Sequence, residues 1–205
     1  MKTTIEELKN AIMTMYESAQ RPLGDSIYRG HIRTMSFDVE NALAVFLSKL
    51  LPTHSIFVDS SINVDGKMHR PDILIVDDNG KVEAMVEIKS NMGYCRNASG
   101  IINSMLRTDK LFANAKNLLC KFISKGDLKK EKTFSITYNS NVNLFLVSLV
   151  TGNVSKENRQ KNKKYANDNK VLFYELFYSG YGYSNLKDKD ISIFANAILE
   201  CTNKS

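Results

Sequence analysis

Three residues of this chain have the types and spacing to act on a phosphate: Asp72, Glu87 and Lys89. They flank Asn79-Gly80, the strongest short signal for a β-hairpin, because a two-residue type I′ turn needs positive φ at both positions and Asn and Gly tolerate it best. With those two residues as the loop, Asp78 faces Lys81, and counting back along the strands sets Asp72 opposite Glu87. Side chains alternate along a strand, so Lys89 shares the face of Glu87. Directly opposed β-carbons lie about 4.5–5.5 Å apart, where two ionised carboxylates repel by roughly 3 kcal/mol at an effective dielectric of about 20. A divalent cation reverses that sign. Mg²⁺ takes one or two carboxylates, waters and phosphate oxygens. Lys89 then stands where it can orient or deprotonate a water, or neutralise charge developing on a phosphate. The plainer alternative is that Asp72 begins an edge strand after Pro71, with Glu87 and Lys89 on a solvated face.

The surrounding strands favour the chemical reading. Ile73-Leu74-Ile75-Val76 is a continuous apolar run, and Met85, Val86 and Ile88 flank the charges; such runs mark strands covered on both faces. Residues 55–64 alternate as a strand through Ile56, Val58, Ser60 and Ile62, and Asp65-Gly66 turns that strand back into the one holding Asp72. Two consecutive hairpins make an antiparallel meander. The same register sets Arg70 opposite Lys89, where it either anchors a phosphate or pairs with Glu87 or Asp72.

Upstream, residues 4–19 carry Ile5, Leu8, Ile12, Met15 and Ala19 at helical spacing, with Thr4 and Glu7 as a capping box. Residues 21–34 read as a loop holding Arg21, Arg29, His31 and Arg33, either a phosphate contact or a solvated connector. Ser36 caps a second helix ending near Leu51-Pro52, with Val39, Leu43, Phe46, Leu47 and Leu50 as its buried stripe. Glu40 lies on the margin of that stripe. By position it complements the helix dipole, as Asp38 does.

Downstream, residues 90–99 form a polar loop, and Ile101, Ile102, Met105, Leu106, Phe112, Ala115, Leu118, Leu119 and Phe122 predict one long amphipathic helix. Its exposed side carries Arg107, Lys110, Lys116 and Lys121. Residues 126–140 read as a polar, basic excursion and 142–150 as an interior strand. The stretch 155–170 holds six basic residues against two acidic ones, with Lys163 and Lys164 at its centre. A charge run of that kind is a solvated face or a nucleic-acid contact. Residues 171–177 read as a last strand, the tyrosines of 178–183 as an aromatic loop able to stack on bases, and 190–201 as a closing helix.

With 205 residues, 43% hydrophobic and 24% charged, the chain has a globular composition and length for one core. Its net charge of +6 suits a polyanionic partner. Cys95, Cys120 and Cys201 form no CxxC pair and have no metal-type spacing, which fits a reduced, cytoplasmic setting. Glu6 and Glu7 stand where a secretory signal needs an apolar core, and no run approaches transmembrane length, so no membrane partner is expected. Repeats, a Walker-type loop and HExxH are all absent, and His31, His54 and His69 do not cluster.

Pro71-Asp72, fourteen residues, then Glu87-Ile88-Lys89 resembles the signature of the PD-(D/E)xK nuclease superfamily. The resemblance implies an α/β, restriction-endonuclease-like fold with an αβββαβ core. The order of helix, three strands, helix and strand read from turns and periodicity agrees with it over residues 36–150. One domain is expected, with 1–35 as an N-terminal helix and basic loop, and 151–205 as an added strand and helix. The central sheet is expected to be mixed and flanked by helices. The resemblance implies a metal-dependent nuclease, an endonuclease acting on DNA, with Mg²⁺ or a substituting Mn²⁺ bound by Asp72, Glu87 and the carbonyl of Ile88. It also gives Glu40 a second reading, as a metal-site glutamate on the helix before the meander. Lys89 positions the attacking water. Arg33, Arg70, Arg107, Lys110, Lys163 and Lys164 are the candidate nucleic-acid contacts. A catalytically silent binding module and a homodimer both stay open.

Overall fold

Ile73–Val76 is buried at all four positions, and the strand it forms lies inside a five-stranded mixed sheet. The structure, a computed structural model, describes residues 2–20, 36–91, 97–124, 127–150, 154–177 and 188–202. In chain order its elements are α1 (Lys2–Gln20), α2 (Ser36–Leu50), β1 (Ser55–Val58), β2 (Ser61–Val64), β3 (Lys67–His69), β4 (Ile73–Val76) and β5 (Val82–Asn91). Then follow α3 (Ser99–Ala115), β6 (Asn117–Ser124), β7 (Asp127–Thr137), β8 (Asn143–Val150), α4 (Lys156–Asp168), β9 (Leu172–Phe177) and α5 (Asp188–Thr202). The central sheet runs β1-β4-β5-β8-β9, antiparallel up to β5 and parallel beyond it. A second sheet runs β3-β2-β6-β7. Among the described residues no helix is long and apolar enough to cross a membrane.

Alternation along the central strands divides the core in two. Ile73, Ile75, Val86, Ile88 and Val147 pack under α1, α2 and α5, through residues such as Leu8, Leu43, Phe46 and Phe194. Leu74, Met85 and Leu146 face the other way, toward α3, α4 and the second sheet, where they meet Ile102, Phe112, Leu118 and Ala166. Strands covered on both faces need apolar residues at every position, which is why β4 does not alternate.

The hairpin between β4 and β5 keeps the predicted register, by a different route. The loop has three residues, Asp78 to Gly80: the Asp77 N–H donates to the Lys81 carbonyl at 2.9 Å, and only Gly80 takes positive φ, at 79°. Asp77 Oδ1 decides this by accepting from the backbone N–H groups of Asn79 and Lys81 at 2.9 and 2.7 Å, an Asx arrangement that the two-residue turn lacks. The extra loop residue shifts Val76 onto Val82, and a bulge then restores Ile75 to Ala84 and Ile73 to Val86. Without that bulge every β5 side chain beyond it would swap faces. The type I′ turn is instead at Asp65-Gly66, both at positive φ, closing Val64 onto Lys67.

Two further expectations are corrected. The long helix ends at Ala115, because Lys116 adopts φ 61° and reverses the chain while its N–H still donates to the Phe112 carbonyl. Leu118, Leu119 and Phe122 fit a helical period, but Leu118 and Cys120 are buried while Leu119 and Lys121 are exposed, which is the period of a strand. The basic excursion is β7, paired with β6 from Asn117↔Thr137 onward. Replacing Lys116 with Gly should raise stability by about 1 kcal/mol, because a non-glycine residue in that region is strained. The urea midpoint would move up; an unchanged or lower midpoint would show the strain to be relieved locally.

Candidate active site

One bent hairpin places the first acid. β1 pairs with β4 from Ser55↔Val76 to Val58↔Ile73, and β2 pairs with β3 from Ile62↔His69 to Val64↔Lys67, in one unbroken register. The two halves belong to different sheets. The bend falls where Asp59 takes φ 42° and Pro71, which has no N–H for a ladder, interrupts the return strand. Asp59 and Asp72 face each other across it, with the Asp59 N–H donating to the Asp72 carbonyl at 3.0 Å. Arg70 follows β3 into the second sheet. Its Nε donates to Ser61 Oγ at 3.0 Å, so it does not stand opposite Lys89 as the straight register required, and among the described residues it finds no acid.

Beyond the bend, the Asp72 carboxylate reaches onto β5 and accepts the Ile88 N–H at 2.6 Å. A strand residue's N–H and C=O project toward the same neighbour, so the Ile88 carbonyl also faces this side. Lys89 Nζ lies 2.6 Å from Glu87 Oε1 and 3.9 Å from Asp72 Oδ2. The side chains of Asp72, Glu87 and Lys89 are 20%, 25% and 29% exposed, sheltered but open to a ligand.

Burial raises the Asp72 carboxyl to about 6, and the Glu87 charge adds to it, while the Ile88 N–H and Lys89 oppose the rise. Glu40 comes from α2, whose buried stripe lies on the opposite face of the sheet. Burial lifts its carboxyl to about 7, followed by the charges of Asp72 and Asp59. Glu40 is thus partly buried and within electrostatic reach of Asp72 and Asp59. Asp59 was missed in the sequence; its signal is the polar run Asp59-Ser60-Ser61 interrupting an alternating strand.

This all-oxygen donor set is of the kind Mg²⁺ or Mn²⁺ takes with waters completing the shell. Among the described residues no group of three or more His, Cys, Asp or Glu is gathered to hold a metal ion. The fit is thus to two carboxylates and a carbonyl, not to a closed protein cage. A cleft of about 280 Å³ opens beside the acids, lined by His69, Arg70, Asp72, Glu87, Met105 and Thr108 among others. His69 packs edge-on against Phe112, and its buried Nε2 has no hydrogen-bond partner among the described residues.

The remaining basic candidates are scattered. Arg107 and Lys110 are exposed on α3, outside the cleft lining. Lys163 pairs with Glu175 at 3.0 Å, while Lys164 pairs with Asp168 on the outer side of α4, also at 3.0 Å. Arg33, with the whole basic loop, and the tyrosines of 178–183 lie outside the described residues, as does Cys95. No protein-family model, curated protein or solved structure matches this chain.

Proposed function

We propose that this chain is a metal-dependent nuclease hydrolysing phosphodiester bonds in DNA, an endonuclease with the restriction-endonuclease-like core of the PD-(D/E)xK superfamily. The observation that carries the proposal is the meeting of Asp72, Glu87 and Lys89, with the Asp72 carboxylate resting on the Ile88 N–H between the other two. The order of α2, strands β1, β4 and β5 of the central sheet, α3 and β8 supports it, with β2, β3, β6 and β7 set apart as a second sheet. Asp72, Glu87 and the Ile88 carbonyl would hold the ion, with Glu40 contributing through water. Bound Mg²⁺ or Mn²⁺ supplies Lewis acidity toward the phosphate and makes water a better nucleophile. Lys89 orients that water and meets the charge developing on phosphorus oxygens. Arg70 lines the cleft and would contact a flanking phosphate.

A second reading, a nucleic-acid-binding module without turnover, is favoured by the close Lys89–Glu87 pair and the lack of a gathered three-residue metal group among the described residues. A cleavage assay separates the two. Plasmid, linear duplex, branched and single-stranded substrates, DNA and RNA, are incubated with Mg²⁺, Mn²⁺ or EDTA. Products with either metal and none in EDTA are expected. Cleavage indifferent to EDTA would remove the metal mechanism, and retention on DNA without products under any metal would establish the silent module.

A further inference from the structure

The parallel half of the sheet leads from the site, beneath a fully buried Ser148, to a second charged group. Lys89 on β5 is in register with Ser148 on β8, and Ser148 with Glu175 on β9. Parallel partners project to one face, so the three side chains form a row leading away from Asp72 and Glu87. The row follows the carboxyl ends of the parallel strands, where open α/β sheets bind their ligands. Strands spaced about 4.8 Å apart put the backbone of Glu175 about 10 Å from that of Lys89.

Glu175 is held by two cations. Its carboxylate, 4% exposed, accepts from Arg159 Nε and Nη2 at 2.9 and 2.6 Å and from Lys163 at 3.0 Å. The bidentate Arg159 fork is enough to dock α4 on β9. Lys163, 53% exposed, brings a second positive charge to the open side. There a groove of about 640 Å³ runs between α4, β9 and α5, and its lining sets Lys156, Arg159, Lys163 and Lys189 against only Glu175 and Asp190. The other lysines of α4 are engaged within the helix, Lys161 with Glu157 at 2.6 Å and Lys164 with Asp168. Phe173 and Tyr174 complete the groove with aromatic surface.

We propose that this groove grips a backbone phosphate of the same nucleic-acid strand whose scissile phosphate is held at Asp72, Glu87 and Lys89. The proposal rests on the nuclease reading above. Successive phosphates of one strand wind around the axis as well as rising about 3.4 Å along it, so they lie farther apart than the rise, and a 10 Å offset sets the contact about one to two nucleotides from the scissile bond.

The test measures binding of a labelled duplex by the full chain in EDTA over a range of salt concentrations. The wild type is compared with Lys163→Ala/Lys189→Ala, and with Lys161→Ala as a control outside the groove. Loss of the one phosphate contact should lower the slope of log affinity against log salt by about 0.9, which is about fivefold in affinity at 0.15 M salt. The double variant should lose that one increment, keep the wild-type melting temperature, and cleave a substrate trimmed to a single nucleotide without a terminal phosphate on the groove side as well as the wild type does. Lys161→Ala should bind like the wild type. A wild-type slope in the double variant, with the wild type itself binding and cutting, overturns this inference and leaves the nuclease reading standing. A wild type that neither binds nor cuts any substrate overturns both. Inorganic phosphate that stabilises the wild type through Lys163 and Lys189, without weakening DNA binding, would make the groove a small-anion site and overturn the proposal.

Discussion

Replacing Asp72 with Asn is expected to reduce cleavage about 10³-fold or more while leaving the metal-free protein at least as stable as the wild type. The shape is kept, and the amide oxygen can still accept the Ile88 N–H that Asp72 Oδ2 now accepts at 2.6 Å. What disappears is a charge raised in pKa by burial and by Glu87. The folded pKa of about 6 lies above the ordinary 3.8, so folding favours the protonated carboxyl. Its contribution to stability is complete below about pH 4 and is lost as pH rises through about 6. A shift of that size corresponds to at most about 3 kcal/mol, reduced by the partial exposure of the side chain. Urea unfolding should therefore show no advantage for the variant near pH 4 and a growing one up to about pH 8. Metal acts in the opposite sense. At about a hundredfold excess over its dissociation constant, Mg²⁺ or Mn²⁺ should stabilise the wild type by about 2.7 kcal/mol, or about 5–10 °C, and the variant far less. A marked loss of metal-free stability in the variant would show that the carboxylate is a structural partner of Ile88 and Lys89, and the metal-site reading would fall.

Lys89→Met should lower kcat by about 10² to 10⁴-fold, the range for a group that positions or activates a nucleophile, with DNA affinity changed by less than about fivefold. Methionine keeps the apolar stem and removes the ammonium that stands 2.6 Å from Glu87 and 3.9 Å from Asp72. The two acids then face each other without their counter-ion. Stability without metal should fall at neutral pH and be restored by Mg²⁺ or Mn²⁺, so the metal-induced rise in melting temperature becomes larger than in the wild type. That larger rise separates a catalytic ammonium from a general loss of folding, which metal would not repair. Cleavage within tenfold of the wild type would reduce Lys89 to a counter-ion of Glu87.

The hairpin carrying these residues shows how local and global information combine. The sequence pattern predicts the facing of Ile73 and Val86 correctly although the predicted loop is one residue too short, because the bulge between Ile75 and Val76 takes up the difference. Burial explains why the register persists. A slip of one residue would turn Glu87 and Lys89 into the apolar layer under α2 and α5, and Val86 and Ile88 out of it. The end of α3 was hidden for the opposite reason. Leu118 and Phe122, four residues apart, satisfy both periods, while Leu119 fits only the helix and is exposed; pairing with β2 and β7 makes the strand the better use of the segment.

The chemical inventory and the local pairing are legible in the sequence: an acid after a proline, an acid and a lysine two residues apart, and the alternation that sets them on one face. Those features depend on dihedral preferences and side-chain period, which neighbouring residues specify. Long-range packing sets the bend of the first hairpin at Asp59 and Pro71, brings Glu40 of α2 within the field of Asp72, and aligns Lys89, Ser148 and Glu175 in one row. These depend on which strands become neighbours. Parallel pairing of β5, β8 and β9 joins segments separated by whole helices, and it is selected by closure of the two apolar layers over the full chain rather than by any local signal.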